Sequence, residues 1–192
     1  MATHPIGRMT EEEYLSRERD AEYKSEYVEG EAYAMSGGSP RHAAICAGVI
    51  AELRIGLKNT RCLTMTSDIK VRAPRTGAYV YPDAVVVCGE AKVDERSSHV
   101  LVNPTAIFEV LSPSTERYDR GKKFSLYREI ESLQDYILVH WEEPWVERYS
   151  RQRDGTWLFT DHQGEGACLD IASVGCRFRL AEVYDRAFDI PT

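Results

Sequence analysis

The sequence predicts an α/β domain, because helix-like and strand-like hydropathy patterns follow one another along one chain. The apolar side chains of residues 41–58 recur at intervals of three and four residues, which predicts an amphipathic helix. Two nearly continuous apolar runs, Ala84–Cys88 and 105–111, are typical of strands buried on both faces. At 192 residues, with neither an internal repeat nor a linker, the chain is expected to form a single domain over residues 1–192.

The composition indicates a folded protein with an acidic net charge. Hydrophobic residues make up 43% of the chain and charged residues 29%, with a formal net charge of −7. These values exclude disordered, collagenous and disulfide-scaffold proteins, and they argue against a protein that coats nucleic acid through charge alone. No apolar stretch approaches the roughly 20 residues that span a bilayer, and residues 1–19 lack the apolar core of a secretory signal. We therefore expect a soluble cytoplasmic protein without a membrane partner.

The cysteines predict no metal or disulfide framework. They are five in number and widely spaced, and no two of them form a C-x-x-C pair that could hold zinc or exchange a disulfide. We expect reduced, mostly buried thiols at Cys46, Cys62, Cys88, Cys168 and Cys176.

The N-terminal segment predicts a helix followed by a hairpin. Thr10 and Glu13 have the spacing of a capping box, which predicts a short acidic helix over residues 11–19. Apolar and charged residues of the segment 23–35 are arranged around Gly30, which predicts two short strands and a tight turn.

A second helix follows this hairpin. Ser39 and Pro40 are a favourable N-cap and first helical residue. They place the start of the amphipathic helix at about residue 41, with His42 in its first turn.

The remainder of the chain is predicted to consist mainly of strands. The expected strands cover residues 62–66, 69–73, 79–81, 84–88, 105–111, 136–139, 145–149 and 156–160.

Three further segments of this region have other expected structures. The polar residues 89–102 are expected to form a loop or a frayed insertion, and 119–130 a helix, because Phe124, Tyr127 and Ile130 have helical spacing. Residues 168–179 are expected to pack against the strands, and a short final helix is expected near 181–187.

Two carboxylates stand at the ends of strands that the apolar pattern predicts to be buried. Asp83 opens the strand 84–88, and Glu109 interrupts six residues of another strand that are otherwise apolar. A buried carboxylate without a partner costs several kcal/mol, so a cation is expected to face Glu109. If the two strands are neighbours, both carboxylates could bind Mg²⁺, which prefers oxygen ligands.

A basic segment lies shortly after Glu109. Asp119-Arg120-Gly121-Lys122-Lys123 opens the predicted helix, and residues 116–128 contain five basic and two acidic residues. A lysine from this helix could orient or deprotonate a water and stabilise charge on a scissile phosphate. Arg120 and Lys122 could meet nucleic-acid phosphates beside the site.

The combination of these residues resembles the Uma-two family, a restriction-endonuclease-like branch of the PD-(D/E)XK nuclease superfamily. The resemblance covers about residues 12–139. It is carried by Tyr81-Pro82-Asp83, Glu109-Val110-Leu111-Ser112-Pro113-Ser114-Thr115, Asp119, Lys123 and Tyr127, and upstream by Glu29-Gly30-Glu31, Met35-Ser36-Gly37 and His42.

The resemblance implies a restriction-endonuclease-like α/β core with a mixed central sheet and a metal-dependent nuclease site. Asp83 and Glu109 would hold Mg²⁺ or Mn²⁺, with the Val110 carbonyl as a further ligand. The superfamily pattern places a lysine at position 111, where this chain has Leu111. The family resemblance implies that the lysine has moved to the helix as Lys123.

The resemblance also implies accessory residues and partners. Lys122 is the second candidate for the displaced lysine, and Glu29 is a candidate for an additional acidic residue from the N-terminal part. DNA is the expected substrate in preference to RNA. A homodimer is expected, because superfamily enzymes that cut both strands usually pair two sites.

Structural alternatives remain open for the same residues. Asp83 has the form of an ordinary Pro-Asp turn, Asp119 that of a helix N-cap, and His42 that of a capping or surface residue that could also reach the site. Two rival functions follow. The chain could be a catalytically inactive relative that binds nucleic acid or protein, or Glu109 and Lys123 could be only a buried ion pair.

Overall fold

The structure is a computed structural model that describes residues 5–190. The helices are α1 (Glu11–Arg19), α2 (Pro40–Gly56), α3 (Glu116–Tyr118), α4 (Phe124–Tyr127) and α5 (Leu180–Val183). The strands are β1 (Pro5–Arg8), β2 (Ser25–Val28), β3 (Glu31–Ala34), β4 (Cys62–Thr66), β5 (Lys70–Ala73), β6 (Ala78–Val80), β7 (Ala84–Cys88), β8 (Val93–Asp94), β9 (Ser97–Leu101), β10 (Ala106–Val110), β11 (Asp135–Val139), β12 (Trp145–Arg151), β13 (Trp157–Gln163), β14 (Cys168–Ile171) and β15 (Cys176–Arg179). Within this described part, no helix is long and apolar enough to cross a membrane.

The central sheet has six strands in the order β13-β12-β11-β10-β7-β4. It is mixed, as the family resemblance implied, because β10 pairs with β11 in parallel and with β7 antiparallel. Phe108 of β10 lies opposite Ala84 of β7. The end of β10 therefore lies beside the start of β7, which brings Glu109 and Val110 next to Asp83.

A second sheet has seven strands in the order β1-β3-β2-β6-β5-β9-β8 and contains the predicted hairpin as β2 and β3. The expectation of a loop over residues 89–102 is wrong, because β8 and β9 lie there and β9 pairs in parallel with β5. In β9 only Val100 and Leu101 are buried. A strand that is apolar at one end only shows no alternation, so its long-range pairing was not visible in the sequence.

Alternate residues of β10 belong to two different cores. Ala106, Phe108 and Val110 pack with α2 and with the hairpin of β14 and β15. Ile107 and Leu111 pack with α4 and with the second sheet. Because side chains alternate along a strand, Glu109 shares the second face and is buried there. Each fully buried aliphatic or aromatic side chain contributes roughly 1.5–3 kcal/mol to folding.

The start of α2 is fixed by its cap. The Ser39 hydroxyl accepts a hydrogen bond from the His42 backbone N–H at 3.2 Å, and Pro40 occupies the first turn. Further along, a Cβ built on Gly48 would lie 2.1 Å from the Val183 carbonyl oxygen. Glycine therefore lets α2 and α5 approach closely. His42 lies in the first turn of α2, at the end of the helix away from this contact.

The helical segment after Glu109 begins earlier than expected. The backbone N–H groups of Glu116 and Asp119 donate to the Ser112 and Thr115 carbonyls, so the 112–115 turn winds directly into α3. A π-helical turn, Asp119–Lys123, then joins α3 to α4. The interpretation of Asp119 as an N-cap is wrong, because the helix has already begun and the Asp119 side chain is buried inside the fold.

The cysteines depart from expectation at one pair. Cys62 and Cys88 lie directly opposite each other on β4 and β7 and form a disulfide. The expectation of five reduced thiols is therefore wrong for this pair, because cross-strand pairing brings together two residues that are 26 positions apart. Cys46, Cys168 and Cys176 are free thiols.

Candidate metal centre and active site

A pocket of about 400 Å³ opens at the end of the central sheet where β10 ends and β7 begins. Its walls come from these strand ends, the 112–115 turn, the π-helical turn and the segment 35–42 that leads into α2. Six of the residues selected from the sequence line it, namely His42, Asp83, Glu109, Val110, Asp119 and Lys123. The fold thus gathers them into one cavity from separate segments of the chain.

Asp83 is held at the end of the central sheet by the backbone of its neighbour strand. The Val110 N–H donates a hydrogen bond of 2.8 Å to Asp83 Oδ2. This bond extends the antiparallel pairing of β7 and β10 by one step, with a carboxylate in place of a carbonyl. The side chain is about one-fifth exposed, so it faces the pocket.

His42 lies against the same two residues. Its Nε2 is 3.0 Å from the Val110 carbonyl oxygen and 3.5 Å from Asp83 Oδ2. A carbonyl oxygen can only accept, so we assign a hydrogen to Nε2. Burial lowers the pKa of His42, but the Asp83 carboxylate and the Val110 carbonyl outweigh it, and the pKa is raised overall.

Gly38 controls the position of the His42 ring. A Cβ built on Gly38 would lie 2.7 Å from His42 Nδ1, which is closer than a Cβ atom approaches a nitrogen to which it is not bonded. Gly38→Ala is therefore expected to push the imidazole away from Asp83 and Val110 and to lower the His42 pKa toward its ordinary value, as measured by NMR titration. Gly37→Ala is the matched control, because a Cβ there meets nothing within 4 Å. An unchanged pKa in Gly38→Ala would contradict this assignment.

Glu109 is almost completely buried and has two strong partners. Its Oε1 accepts hydrogen bonds from Lys123 Nζ at 2.8 Å and from the Tyr127 hydroxyl at 2.9 Å. The cation that the sequence predicted opposite Glu109 is therefore Lys123. One turn of helix separates Lys123 from Tyr127, so both reach the same carboxylate from one helix face.

The Lys123 ammonium lies close to three oxygen atoms. Besides Glu109, its Nζ lies 2.9 Å from the Tyr81 carbonyl oxygen and 3.4 Å from Glu26 Oε1. Burial lowers the pKa of Lys123, but the carboxylates of Glu109, Glu26 and Asp119 outweigh burial and raise it well above its ordinary value. Lys123 is therefore a permanent cation in this site.

Glu26, which the sequence reasoning missed, belongs to this cluster. It is 3% exposed, and its Oε1 also accepts a hydrogen bond of 3.1 Å from the Tyr81 N–H. The signal that identified Glu109 applies to it as well, because it is a carboxylate within a short strand, β2, all of whose residues are buried. The burial of Glu26 was not predicted, because β2 is short and was interpreted only as one strand of a hairpin.

The cluster contains more carboxyl groups than ammonium groups. Glu26, Asp83, Glu109 and Asp119 surround the single ammonium of Lys123 within the pocket wall. Burial, together with the Asp119 and Asp83 carboxylates, outweighs the attraction of Lys123 and raises the pKa of Glu109 well above its ordinary value. Burial likewise raises the pKa of Asp119. A further cation would relieve this excess of carboxylates.

The donor set fits a hard divalent cation. Among the described residues, hydrogen bonds reach Asp83 through Oδ2 and Glu109 through Oε1, which leaves the other oxygen of each carboxylate for a metal. Val110 directly follows Glu109 in the sequence and lines the same pocket, so its carbonyl is a candidate third ligand. Two carboxylates and a carbonyl, with waters completing the shell, are a ligand set that suits Mg²⁺ or Mn²⁺.

Three of the selected residues lie outside the pocket wall. Glu29 is largely exposed and pairs with Lys122, so neither faces the carboxylate cluster. Arg120 pairs with Glu116 at 2.8 Å and with Glu147. Glu26 lines the pocket and Glu29 does not, so the role of Glu29 as an additional acidic residue at the site stays a prediction. The positive charges of Lys122 and Arg120 are already matched by carboxylates.

Arg41 is a cation in the pocket wall that the sequence reasoning did not select. Its guanidinium lies over the Trp141 and Phe188 rings, at 5.9 and 5.6 Å, and donates to the Ile190 carbonyl. Its Nε is buried and has no hydrogen-bond partner within residues 5–190. Among residues 5–190, Arg41 forms no ion pair with a carboxylate.

Comparison with known proteins gives a family match and two similar proteins that each cover most of the chain. The model of the family Uma2, described as "Putative restriction endonuclease", matches residues 11–181. Two proteins of Synechocystis sp., each described as uncharacterized, are similar over most of their length. The protein slr1290 is 36% identical over 180 residues, covering 94% of this chain and 93% of its own. The protein sll1609 is 33% identical over 164 residues, covering 85% of this chain and 93% of its own.

A solved structure has the same fold. It is a protein of Anabaena variabilis ATCC 29413 described as "a putative nuclease belonging to DUF820", and it superposes with a TM-score of 0.76. The match covers 93% of this chain and 99% of that chain at 17% sequence identity. At this identity the likeness establishes the fold, which agrees with the restriction-endonuclease-like core that the sequence predicted.

Proposed function

The chain belongs to the Uma2 family, and from this premise we propose that it is a metal-dependent endonuclease that hydrolyses phosphodiester bonds, with DNA rather than RNA as substrate. The cofactor of this proposal is Mg²⁺ or Mn²⁺. The observation that carries the proposal is the excess of buried carboxylates around Lys123 beside an open pocket. A purely structural ion pair would match one carboxylate to one ammonium, and it would have no need of an adjoining cavity.

Asp83 and Glu109 are the residues that would hold the cation, with the Val110 carbonyl as a third ligand. A divalent cation bound there supplies polarisation of a phosphoryl oxygen and a lower pKa of a coordinated water. The hydrogen bond from the Val110 N–H fixes the rotamer of Asp83, and the bonds from Lys123 and Tyr127 fix that of Glu109. Both carboxylates are thus held in place before a ligand arrives.

Lys123 acts as a positioning residue in this proposal. Its raised pKa favours the ammonium form, and its Nζ lies against Glu109, Glu26 and the Tyr81 carbonyl. Its charge favours the ionised form of Glu109, which is the form that binds a metal. The expectation that a helix lysine orients the attacking water stays a prediction beside this indirect role.

Arg41 is the residue that we assign to a substrate phosphate. Arg41→Met is expected to weaken plasmid binding about tenfold or more, because a hydrogen bond to a charged group is worth roughly 1.5–3 kcal/mol. Fluorescence anisotropy with a labelled DNA duplex in Ca²⁺ measures this change. Arg54→Met, on an exposed position of the same helix, is the control. Equal binding by both variants would contradict the assignment.

One observation favours a second function. Leu111 stands where the superfamily pattern has lysine, and Lys123 is buried against Glu109, Glu26 and the Tyr81 carbonyl. The alternative is therefore a catalytically inactive relative that binds nucleic acid or protein. It predicts metal binding without cleavage.

Nicking of supercoiled plasmid tests the proposed activity. Open-circular product is expected with Mg²⁺ or Mn²⁺ and is expected to disappear with a chelator, and a matched RNA transcript is expected to be cut much more slowly. Glu109→Ala, purified in the same way, controls for contaminating nucleases. Equal nicking by wild type and Glu109→Ala would exclude the proposal, and metal binding without nicking would favour the inactive relative.

We also propose that two copies act together, because superfamily enzymes that cut both strands of a duplex usually pair two sites. Sedimentation equilibrium with and without a DNA duplex tests this point. A monomer under both conditions would contradict it.

A further inference from the structure

A histidine, a cysteine and a carboxylate converge on the side of the site that faces α2. His42 and Cys46 are separated by one turn of α2, so their side chains lie on one helix face. The Sγ of Cys46 lies 3.5 Å from His42 Nδ1 and 4.0 Å from His42 Nε2. A ligand atom from each of His42, Cys46 and Asp83 lies within 4.8 Å of the others.

These separations are close to those of a tetrahedral zinc site. Bonds of about 2.0–2.3 Å to nitrogen, oxygen and sulfur place neighbouring ligand atoms roughly 3.3–3.8 Å apart. The observed distances of 3.5 Å between His42 Nε2 and Asp83 Oδ2, and of 4.0 Å between Cys46 Sγ and the same nitrogen, need only small side-chain rotations. One sulfur, one nitrogen and one carboxylate oxygen, with a water in fourth position, are a donor set that Zn²⁺ accepts and Mg²⁺ does not.

The three side chains also have an access route. A second cavity of about 740 Å³ adjoins the first and is lined by His42, Cys46 and Asp83, together with the 35–38 segment and Ser67. His42 and Asp83 line both cavities. All three side chains can therefore be reached by a cation from the second cavity.

We propose that His42, Cys46 and Asp83 form a second cation site for Zn²⁺ or a similar thiophilic ion, and that its occupation inhibits the enzyme. The inhibitory part rests on the proposed function, because Asp83 is shared with the hard-cation site and cannot serve both ions fully. Binding requires the Cys46 thiol to release its proton to solvent. It also requires the hydrogen of His42 to move, through solvent, from Nε2 to Nδ1, so that the neutral ring can bind through Nε2; the hydrogen bond to the Val110 carbonyl is lost, and no electron is transferred.

Co²⁺ titration tests the site without reference to activity. Co²⁺ is the probe because thiolate ligation gives it a charge-transfer absorption in the near ultraviolet, and tetrahedral geometry gives visible bands. The wild type is expected to show both features, and Zn²⁺ is expected to remove them by displacement. Cys46→Ser is expected to lose the thiolate absorption and to weaken Zn²⁺ binding by about tenfold or more.

Two further variants keep the test specific. Cys168→Ser removes another free, partly exposed thiol and is expected to retain the Co²⁺ spectrum. His42→Gln is expected to weaken the Co²⁺ absorption, so the site is tested by a second variant if Cys46→Ser fails to fold. Circular dichroism verifies that each variant is folded. A thiolate spectrum that persists in Cys46→Ser, or its absence from the wild type, would overturn the second site.

Inhibition is measured separately. The Zn²⁺ concentration that halves Mn²⁺-dependent nicking is expected to rise about tenfold in Cys46→Ser, relative to the uninhibited rate of that variant. An unchanged concentration would overturn the inhibitory role and leave the binding site intact. Absence of nicking in every sample would count against the proposed function, while the Co²⁺ spectrum would still decide the site.

Discussion

Replacing Asp83 by asparagine is expected to reduce metal-dependent nicking roughly a thousandfold or more, which corresponds to about 4 kcal/mol of transition-state stabilisation. The substitution is nearly isosteric, and the amide oxygen can still accept the hydrogen bond from the Val110 N–H. The negative charge that a cation requires is lost, while the local structure is retained. Initial rates of plasmid nicking across a range of Mn²⁺ concentrations measure the effect.

A control variant separates this effect from a general change in charge. Asp161→Asn removes one carboxylate from an exposed position of β13 and is expected to nick at the wild-type rate. Thermal unfolding of both variants verifies that each is folded. If Asp83→Asn retained more than one-tenth of the activity, Asp83 would not be a metal ligand in the reaction.

Replacing Lys123 by methionine is expected to lower the free energy of unfolding by about 3–5 kcal/mol, measured by urea denaturation in a chelator. The methionine fills a similar volume but leaves three buried carboxylates, those of Glu26, Glu109 and Asp119, without their shared cation. Uncompensated buried charge is the cause of the loss. Part of the lost stability is expected to return with Mn²⁺, because a ligand that binds only the folded state stabilises it.

The double variant Lys123→Met with Glu109→Gln is the internal control. It removes one charge of each sign, so it is expected to be more stable than Lys123→Met alone, although Glu26 and Asp119 stay near the former ammonium. A loss below about 1 kcal/mol in Lys123→Met would place the cluster in a solvated environment. That outcome would remove the excess of buried charge from which metal binding is inferred.

The elements that could be predicted from the sequence are those whose signals are local. The capping box of Thr10 and Glu13 and the cap of α2 by Ser39 both form as expected, because each depends on residues within one turn. The apolar runs of β7 and β10 are likewise visible, since strands covered on both faces contain few polar residues. β1, β8 and β9 were missed, because their stability comes from partners distant in sequence.

The site could be predicted in part for the same reason. Asp83 and Glu109 stand out because each is a carboxylate at a buried strand, and Lys123 follows from the partner that Glu109 requires. Glu26 and Arg41 could not be selected in the same way. Their roles depend on how β2 and α2 pack against the pocket, and this packing cannot be predicted from the residues next to Glu26 and Arg41 in the sequence.

The family resemblance predicted the fold and the role of Lys123, and the structure differs from it in the surroundings of Glu29, Arg120 and Lys122. Glu26, rather than the predicted Glu29, is the N-terminal carboxylate that is buried against Lys123. The basic residues Arg120 and Lys122 are paired with carboxylates. A charge pattern read along the sequence cannot show which cations are already neutralised by residues from other elements.

Calorimetric titration of Mn²⁺ into the purified protein tests most directly whether this pocket is a metal centre. Binding is expected in the wild type, together with its loss in Glu109→Gln and in Asp83→Asn and its retention in Asp161→Asn. Glu109→Gln keeps the side-chain size, so a folded variant that fails to bind identifies the carboxylate as a ligand. Absence of Mn²⁺ binding by the wild type, or equal binding by Glu109→Gln, would contradict the assignment and leave Glu109 and Lys123 as a structural ion pair.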